Sequence, residues 1–224
     1  MKRFLSYFFP LTTRVNSVHN GVLDLTIING KKILDSRNAN YSYGSGQRIL
    51  EFGLTKIDLG AVQSALLLGL GGGSIIKSLR DKFNFKNHIT AVDFDEKIIS
   101  IAENEFEISN SADLAIVNDD AFNFVRECNR RFDLVIIDLF IDNKVPEQFY
   151  STDFGISVAQ ILSDKGSLIF NLGIANIFNV DSCDIKTYFE NGGKYHTEIF
   201  KNIEGTNTIM ILKPLPAASA SHAV

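Results

Sequence analysis

Leu66-Leu67-Leu68-Gly69-Leu70-Gly71-Gly72-Gly73-Ser74 is an apolar run that breaks into glycines and then opens a helix. Glycine lets the backbone turn sharply and approach a ligand, and the first amides of the following helix offer hydrogen bonds to an anionic or polar group. A lone G-x-G says little; set between an apolar strand and a helix it says much more. A dinucleotide fingerprint puts its third glycine where Ser74 stands, so the nicotinamide pattern is incomplete, whereas Gly69-x-Gly71-x-Gly73 is complete.

Outward from this turn the pattern is regular. Apolar strands are expected over 65–70, 88–92, 114–117, 134–137, 167–171, 196–201 and 207–212. Helices are expected up to about 82, over 95–108, 122–126, 146–162 and 182–189, with one more over about 47–57 ahead of the first strand. Continuous apolar strands alternating with helices mean a parallel sheet covered on both faces, a three-layer Rossmann-like α/β fold. The last two strands are joined by a short connection near Gly205, and a parallel crossover needs about a dozen residues, so they form an antiparallel hairpin. Upstream, residues 22–28 run into Asn29-Gly30 and resume at 32–34, a β-hairpin signal. The expected organisation is an N-terminal β-hairpin element and linker over 1–46, a nucleoside-binding domain over 47–213, and a flexible tail over 214–224.

Asp93 ends the second strand 20 residues after Gly73, the spacing at which an acidic side chain meets the two hydroxyls of an adenosine ribose; otherwise it caps the next helix. Asp119-Asp120-Ala121-Phe122 ends the third strand. Asp120 with Ala121 is the expected adenine contact, and a helix N-cap by Asp119 or Asp120 is the alternative. Asp138 stands just beyond the fourth strand, where open α/β sheets hold their ligands, and is the candidate catalytic carboxylate. Asp142 and Glu147 follow in a loop long enough to fold over the site, unless they are plain solvated charges.

The chain of 224 residues has 45% hydrophobic and 21% charged residues, as an ordinary globular protein does. Its net charge of -4 is uneven: residues 1–60 carry eight Lys/Arg against four Asp/Glu, the remainder fourteen against twenty-two. A cationic small molecule suits that acidic part, and nucleic acid is not expected without a basic run interleaved with aromatics. Cys128, Cys183 and the four histidines lack metal-ligand spacing, so no metal is expected. The start, Lys2-Arg3 then 4–11, is too short and too interrupted by Pro10 for a signal peptide, and no stretch approaches a membrane span, which gives a cytoplasmic expectation.

Taken in order, Asn29 to Lys32, Tyr41 to Arg48, Gly69 to Ser74, Val92 to Asp95, Asp120-Ala121, Asp133 to Asp138 and Pro146 to Phe154 make a combination that resembles spermidine-synthase-like proteins over about residues 20–172. The resemblance implies a mostly parallel seven-stranded class I methyltransferase fold with a C-terminal antiparallel hairpin. It also implies transfer of a methyl or aminopropyl group from S-adenosylmethionine or decarboxylated S-adenosylmethionine to a small acceptor, a polyamine or another amine. Gly69, Gly71, Gly73, Asp93, Asp120 and Ala121 would hold the donor, Asp138 would act in catalysis, and Tyr43, Gln47 and Asp142 would face the acceptor. By analogy, Phe4, Phe8 and Phe9 suggest a homodimer surface; otherwise they cover the core. Two departures bear on activity: Gly72 stands where polyamine-forming members carry an aspartate, which favours intact S-adenosylmethionine, and Asp138-Leu139-Phe140-Ile141-Asp142 replaces their Asp-Ser-Ser-Asp loop. A nucleoside-binding scaffold that has lost the reaction and a nicotinamide-dependent oxidoreductase are the alternatives.

Overall fold

The computed structural model describes residues 2–36, 40–42, 44–174 and 183–216. A short helix α1 (Lys2–Leu5) precedes an antiparallel sheet of β1 (Leu11–Ser17), β2 (Gly21–Ile28), β3 (Lys31–Asp35) and β4 (Asn40–Ser42), in that spatial order. The expected hairpin is β2–β3, closed by Asn29 and Gly30 with φ of 50° and 74°, the left-handed pair that a two-residue turn requires. The sheet extends beyond that hairpin. β1 carries apolar side chains only at Leu11 and Val15 among mostly exposed neighbours, too thin a pattern to announce a strand. Phe4 is 68% and Phe8 70% exposed, so these rings do not cover the core.

The main sheet follows helix α2 (Ser45–Leu54) and holds β5 (Ser64–Leu68), β6 (His88–Asp93), β7 (Leu114–Asn118), β8 (Phe132–Ile137), β9 (Leu162–Ile174), β10 (Tyr195–Ile203) and β11 (Asn207–Pro214). Its order is β10-β11-β9-β8-β5-β6-β7, with β5 to β9 parallel and β11 antiparallel to both its neighbours. This is the expected seven-stranded, mostly parallel sheet of a methyltransferase-type fold, antiparallel hairpin included. Along β5 alternate residues go to opposite faces. Ala65 and Leu67 join a core with α2, α3 (Ser74–Lys77, continuing as a π-turn over Ser78–Lys82) and α4 (Glu96–Phe106), which also receives Leu23, Leu25 and Leu34 from the N-terminal sheet. Leu66 and Leu68 join a second core with α5 (Ala121–Glu127), α6 (Thr152–Ile161) and α7 (Asp184–Asn191).

Boundaries differ from the sequence reading where side-chain capping decides them. The single helix expected over 146–162 is a 3-10 turn at Glu147–Tyr150 and then α6, because the Ser151 hydroxyl accepts from the Phe154 amide and starts a new helix. Ser182, expected to start the last helix, lies outside the described residues. No described helix is long and apolar enough to cross a membrane.

The two sheets are tied together by one buried carboxylate. Asp95, 2% exposed, caps α4 by accepting from the Lys97 amide at 2.9 Å, and it also accepts from the Ser17 hydroxyl and the Asn20 amide of the N-terminal sheet. A Lys32–Glu105 ion pair at 3.0 Å adds a surface contact of small worth. Asp95→Ala removes a helix cap and the acceptor shared by the Ser17 hydroxyl and the Asn20 side-chain amide, so denaturant unfolding should report a loss of about 3 kcal/mol. A loss below about 1 kcal/mol would show that the apolar contacts of Leu23, Leu25 and Leu34 suffice to hold the sheets together.

Candidate active site

A cavity of about 450 Å³ opens beyond the carboxyl ends of the parallel strands, with Gly69, Gly71, Asp93, Asp120, Ala121, Asp138, Asp142 and Gln47 on its wall. Eight of the ten residues expected at the site are therefore brought together. Gly73 sits beside the cavity and not on its wall; its φ of 74° starts α3, and a Cβ there would lie 2.6 Å from Ile108 Cγ1. Tyr43 lies outside the described residues. Glu147 is absent from the described wall and opens the 3-10 turn.

Gly69 is where the strands nearly touch. With φ of 95° it turns the chain away from β5, and a Cβ there would lie 2.2 Å from the Asp138 carbonyl oxygen. The Asp138 amide donates to Leu68 O at 2.8 Å, and the Gly69 amide donates to Val92 O at 2.9 Å. These bonds bring the ends of β5, β6 and β8 to one point.

Asp93 does not cap α4, since Asp95 does. Its Oδ2 accepts from the amides of Leu70 (3.0 Å) and Gly71 (3.3 Å), and its Oδ1 accepts from the Asp95 amide (3.0 Å), so it holds the glycine turn open from within. Burial pushes its carboxyl up to about 6, against those three amides, which favour the charged form. A carboxylate has about four acceptor sites, so room for a ligand hydroxyl remains.

Asp120 does cap its helix: Oδ1 accepts from the amides of Phe122 (2.9 Å) and Asn123 (3.1 Å). Its Oδ2 accepts nothing among the described residues, beside buried Ala121. Gln47 Nε2 donates to Ser78 Oγ at 2.8 Å and to Glu51 Oε1 at 3.2 Å, which fixes the amide on α2. Asp142, with φ of 55°, accepts from the Ser36 hydroxyl at 2.7 Å, so the loop after β8 is fastened to the residue following β3.

Asp138 opens to the cavity, but its carboxyl lies deep among protein atoms. Desolvation pushes it up to about 6, opposed by a hydrogen bond from Asn171 Nδ2 at 2.9 Å. Asn171 accepts in turn from Asn207 Nδ2 at 2.9 Å. Both asparagines line the cavity, and sequence reasoning missed both. The available signal was a polar residue within apolar Leu168-Ile169-Phe170-Asn171-Leu172 near a strand's carboxyl end. Asn20, from the turn between β1 and β2, was missed too. The described wall carries five aspartates, at 93, 119, 120, 138 and 142, and no lysine, arginine or histidine.

A glycine turn after the first parallel strand, carboxylates at the ends of the next three, and an antiparallel final hairpin define a Rossmann-like α/β protein of the class I methyltransferase type. A family model described as Spermine/spermidine synthase domain matches residues 49–204, and the chain belongs to that family. It is 31% identical over 153 residues to a polyamine aminopropyltransferase of Thermoplasma volcanium, covering 66% of this chain and 54% of that protein. The chain thus spans about half the length of that curated relative. Among solved structures it resembles a probable spermidine synthase from Corynebacterium glutamicum, with TM-score 0.65, 16% identity, and 96% of this chain and 81% of that one covered. It also resembles human methyltransferase-like protein 13 in complex with SAH, with TM-score 0.60, 21% identity, and 80% and 82% covered.

Two outcomes test the geometry. Gly69→Ala should destabilise the fold by about 3 kcal/mol, since strain at positive φ adds to a backbone clash that no rotamer relieves. A neutral result would contradict the close approach of β5 and β8. Asp138 is protonated in both folded and unfolded chains well below pH 4; as pH rises, the unfolded chain ionises near 3.8 and the folded one not until about 6. Relative to Asp138→Asn, the wild type should therefore lose on the order of 2 kcal/mol between about pH 4 and pH 6, and parallel stability profiles would contradict the desolvated carboxyl.

Proposed function

We propose that this chain is a transferase that moves an aminopropyl group from decarboxylated S-adenosylmethionine to a small amine. The observation that carries the reading is the five-aspartate wall without a cationic side chain among the described residues. Such a wall attracts a sulfonium and an ammonium, and among the described residues it offers no cationic side chain to the carboxylate of the undecarboxylated donor. Its volume of about 450 Å³ suits small molecules.

When bound, the donor supplies a carbon made electrophilic by its positively charged sulfur. In this reading Asp93 accepts from a ribose hydroxyl while holding the turn that admits the nucleoside. Asp120 uses its spare oxygen for the adenine amino group, and Ala121 lies against the ring. Asp142 and Gln47 face the acceptor. The acceptor nitrogen bonds to the carbon as the carbon–sulfur bond breaks with its electron pair going to sulfur, and Asp138 takes the proton that the nitrogen loses. Asp138 suits that task, being ionised above about pH 6 and near enough to neutrality to release the proton again. Residues 47–213 carry the chemistry, and 1–46 complete the wall through Asn20 and through the Ser36 bond to Asp142.

Methyl transfer from intact S-adenosylmethionine is the second reading. Gly72 and the apolar Leu139-Phe140-Ile141 favour it, because the residues they replace in polyamine-forming relatives are polar.

Incubation with decarboxylated S-adenosylmethionine and 1,4-diaminobutane should release 5′-methylthioadenosine, and Asp138→Asn should slow that release by about 100-fold or more. Release of S-adenosylhomocysteine from the intact donor would establish methyl transfer instead, and release of neither would end the transferase reading. Asp93→Ala should weaken binding of either nucleoside by about 1.5–3 kcal/mol; unchanged affinity would remove the ribose contact.

A further inference from the structure

Asp138 is reached by a chain of hydrogen bonds of fixed direction. Thr206 Oγ1 donates to Asn207 Oδ1 at 2.8 Å, Asn207 Nδ2 to Asn171 Oδ1 at 2.9 Å, and Asn171 Nδ2 to Asp138 Oδ1 at 2.9 Å. The two ends of an asparagine amide are told apart only by their partners, so the direction needs an anchor. Gly173 supplies it: its backbone N–H, which can only donate, points at Asn171 Oδ1 at 3.2 Å.

That N–H is available because the ladder is irregular there. Thr208 faces Gly173 and Ile209 faces Asn171, so the pairing of β11 with β9 skips Leu172. A bulge of this kind removes an amide from the ladder and re-aims a neighbouring side chain. Gly173, with φ of 90°, adopts a backbone that other residues rarely take. With the oxygen of Asn171 held by Gly173 and Asn207, its NH2 has one direction left, toward Asp138.

We infer that the bulge at Leu172 sets the polarity of the Asn171 amide, and that Asn171 is the positioning residue that keeps Asp138 a hydrogen-bond acceptor. Among the described residues, the titratable groups sharing the cavity with Asp138 are Asp93, Asp119, Asp120 and Asp142, all of like charge when ionised. Without the Asn171 amide, nothing described on that wall favours the ionised form. The consequence for ligand class rests on the proposed function: a carboxylate fixed as acceptor selects a group that arrives carrying protons, an ammonium before a tertiary amine or an ether.

The test is made on the protein without ligand, so it stands or falls separately from the transferase reading. The aspartate carboxyl carbons are labelled with 13C and titrated by NMR, with Asp138→Asn assigning the Asp138 resonance. Asn171→Leu should raise the Asp138 midpoint by about one to two pH units, the size expected for a lost hydrogen bond to a charge. Asn207→Leu leaves the Gly173 anchor in place and should move it much less. An unmoved midpoint in folded Asn171→Leu, or an equal shift in both variants, overturns the inference. Should the leucine variant fail to fold, Asn171→Ala removes the amide without adding bulk and is read by the same criteria.

Discussion

The contact on which the rest depends is the approach of the β5 end to the β8 end at Gly69 and Asp138, with no room for a Cβ between them. It fixes where the chain leaves β5, and so where the glycine turn stands relative to the carboxylate beyond β8. Asp93 then holds the turn by two of its amides from the end of β6. Three adjacent strands thus aim backbone and carboxylates into one cavity at the end of the sheet where open α/β folds place ligands.

Electrostatics gives that cavity its character. Carboxylates are seldom buried unless paired or hydrogen-bonded; Asp93 and Asp138 face the cavity with amide donors and, among the described residues, no cation, and both are pushed up to about 6. Strongly desolvated carboxyls gathered in a cleft mark a candidate functional site. Electrostatics also explains a reversal. The sequence favoured intact S-adenosylmethionine because an aspartate is missing at Gly72, whereas the proposed reading starts from the folded wall, whose described residues gather five aspartates from three separate segments, at the carboxyl ends of β6, β7 and β8.

The fold was legible because parallel strands buried on both faces are continuous apolar runs, and because Asn29-Gly30 and the short Gly205 connection constrain pairing locally. Strand β1 was not legible: its partner hides little of it, so its sequence carries no alternation. At the site, the candidate residues at strand ends were placed by strand–loop–helix context, and the cavity wall holds them. Asn171 and Asn207 were missed because their role arises from a bulge between distant strands, which no local pattern records. Asp120 shows the opposite limit, for the same carboxylate serves as helix cap and cavity wall, and sequence could only pose these as alternatives.

The claim that a cation completes this cavity is tested most directly by calorimetric titration at pH 7.5 with decarboxylated S-adenosylmethionine and with uncharged 5′-methylthioadenosine. The two share the nucleoside and differ in positive charge. The account predicts that both bind and that the cationic one binds at least tenfold more tightly, about 1.4 kcal/mol. Equal affinities, or binding of neither, would contradict it.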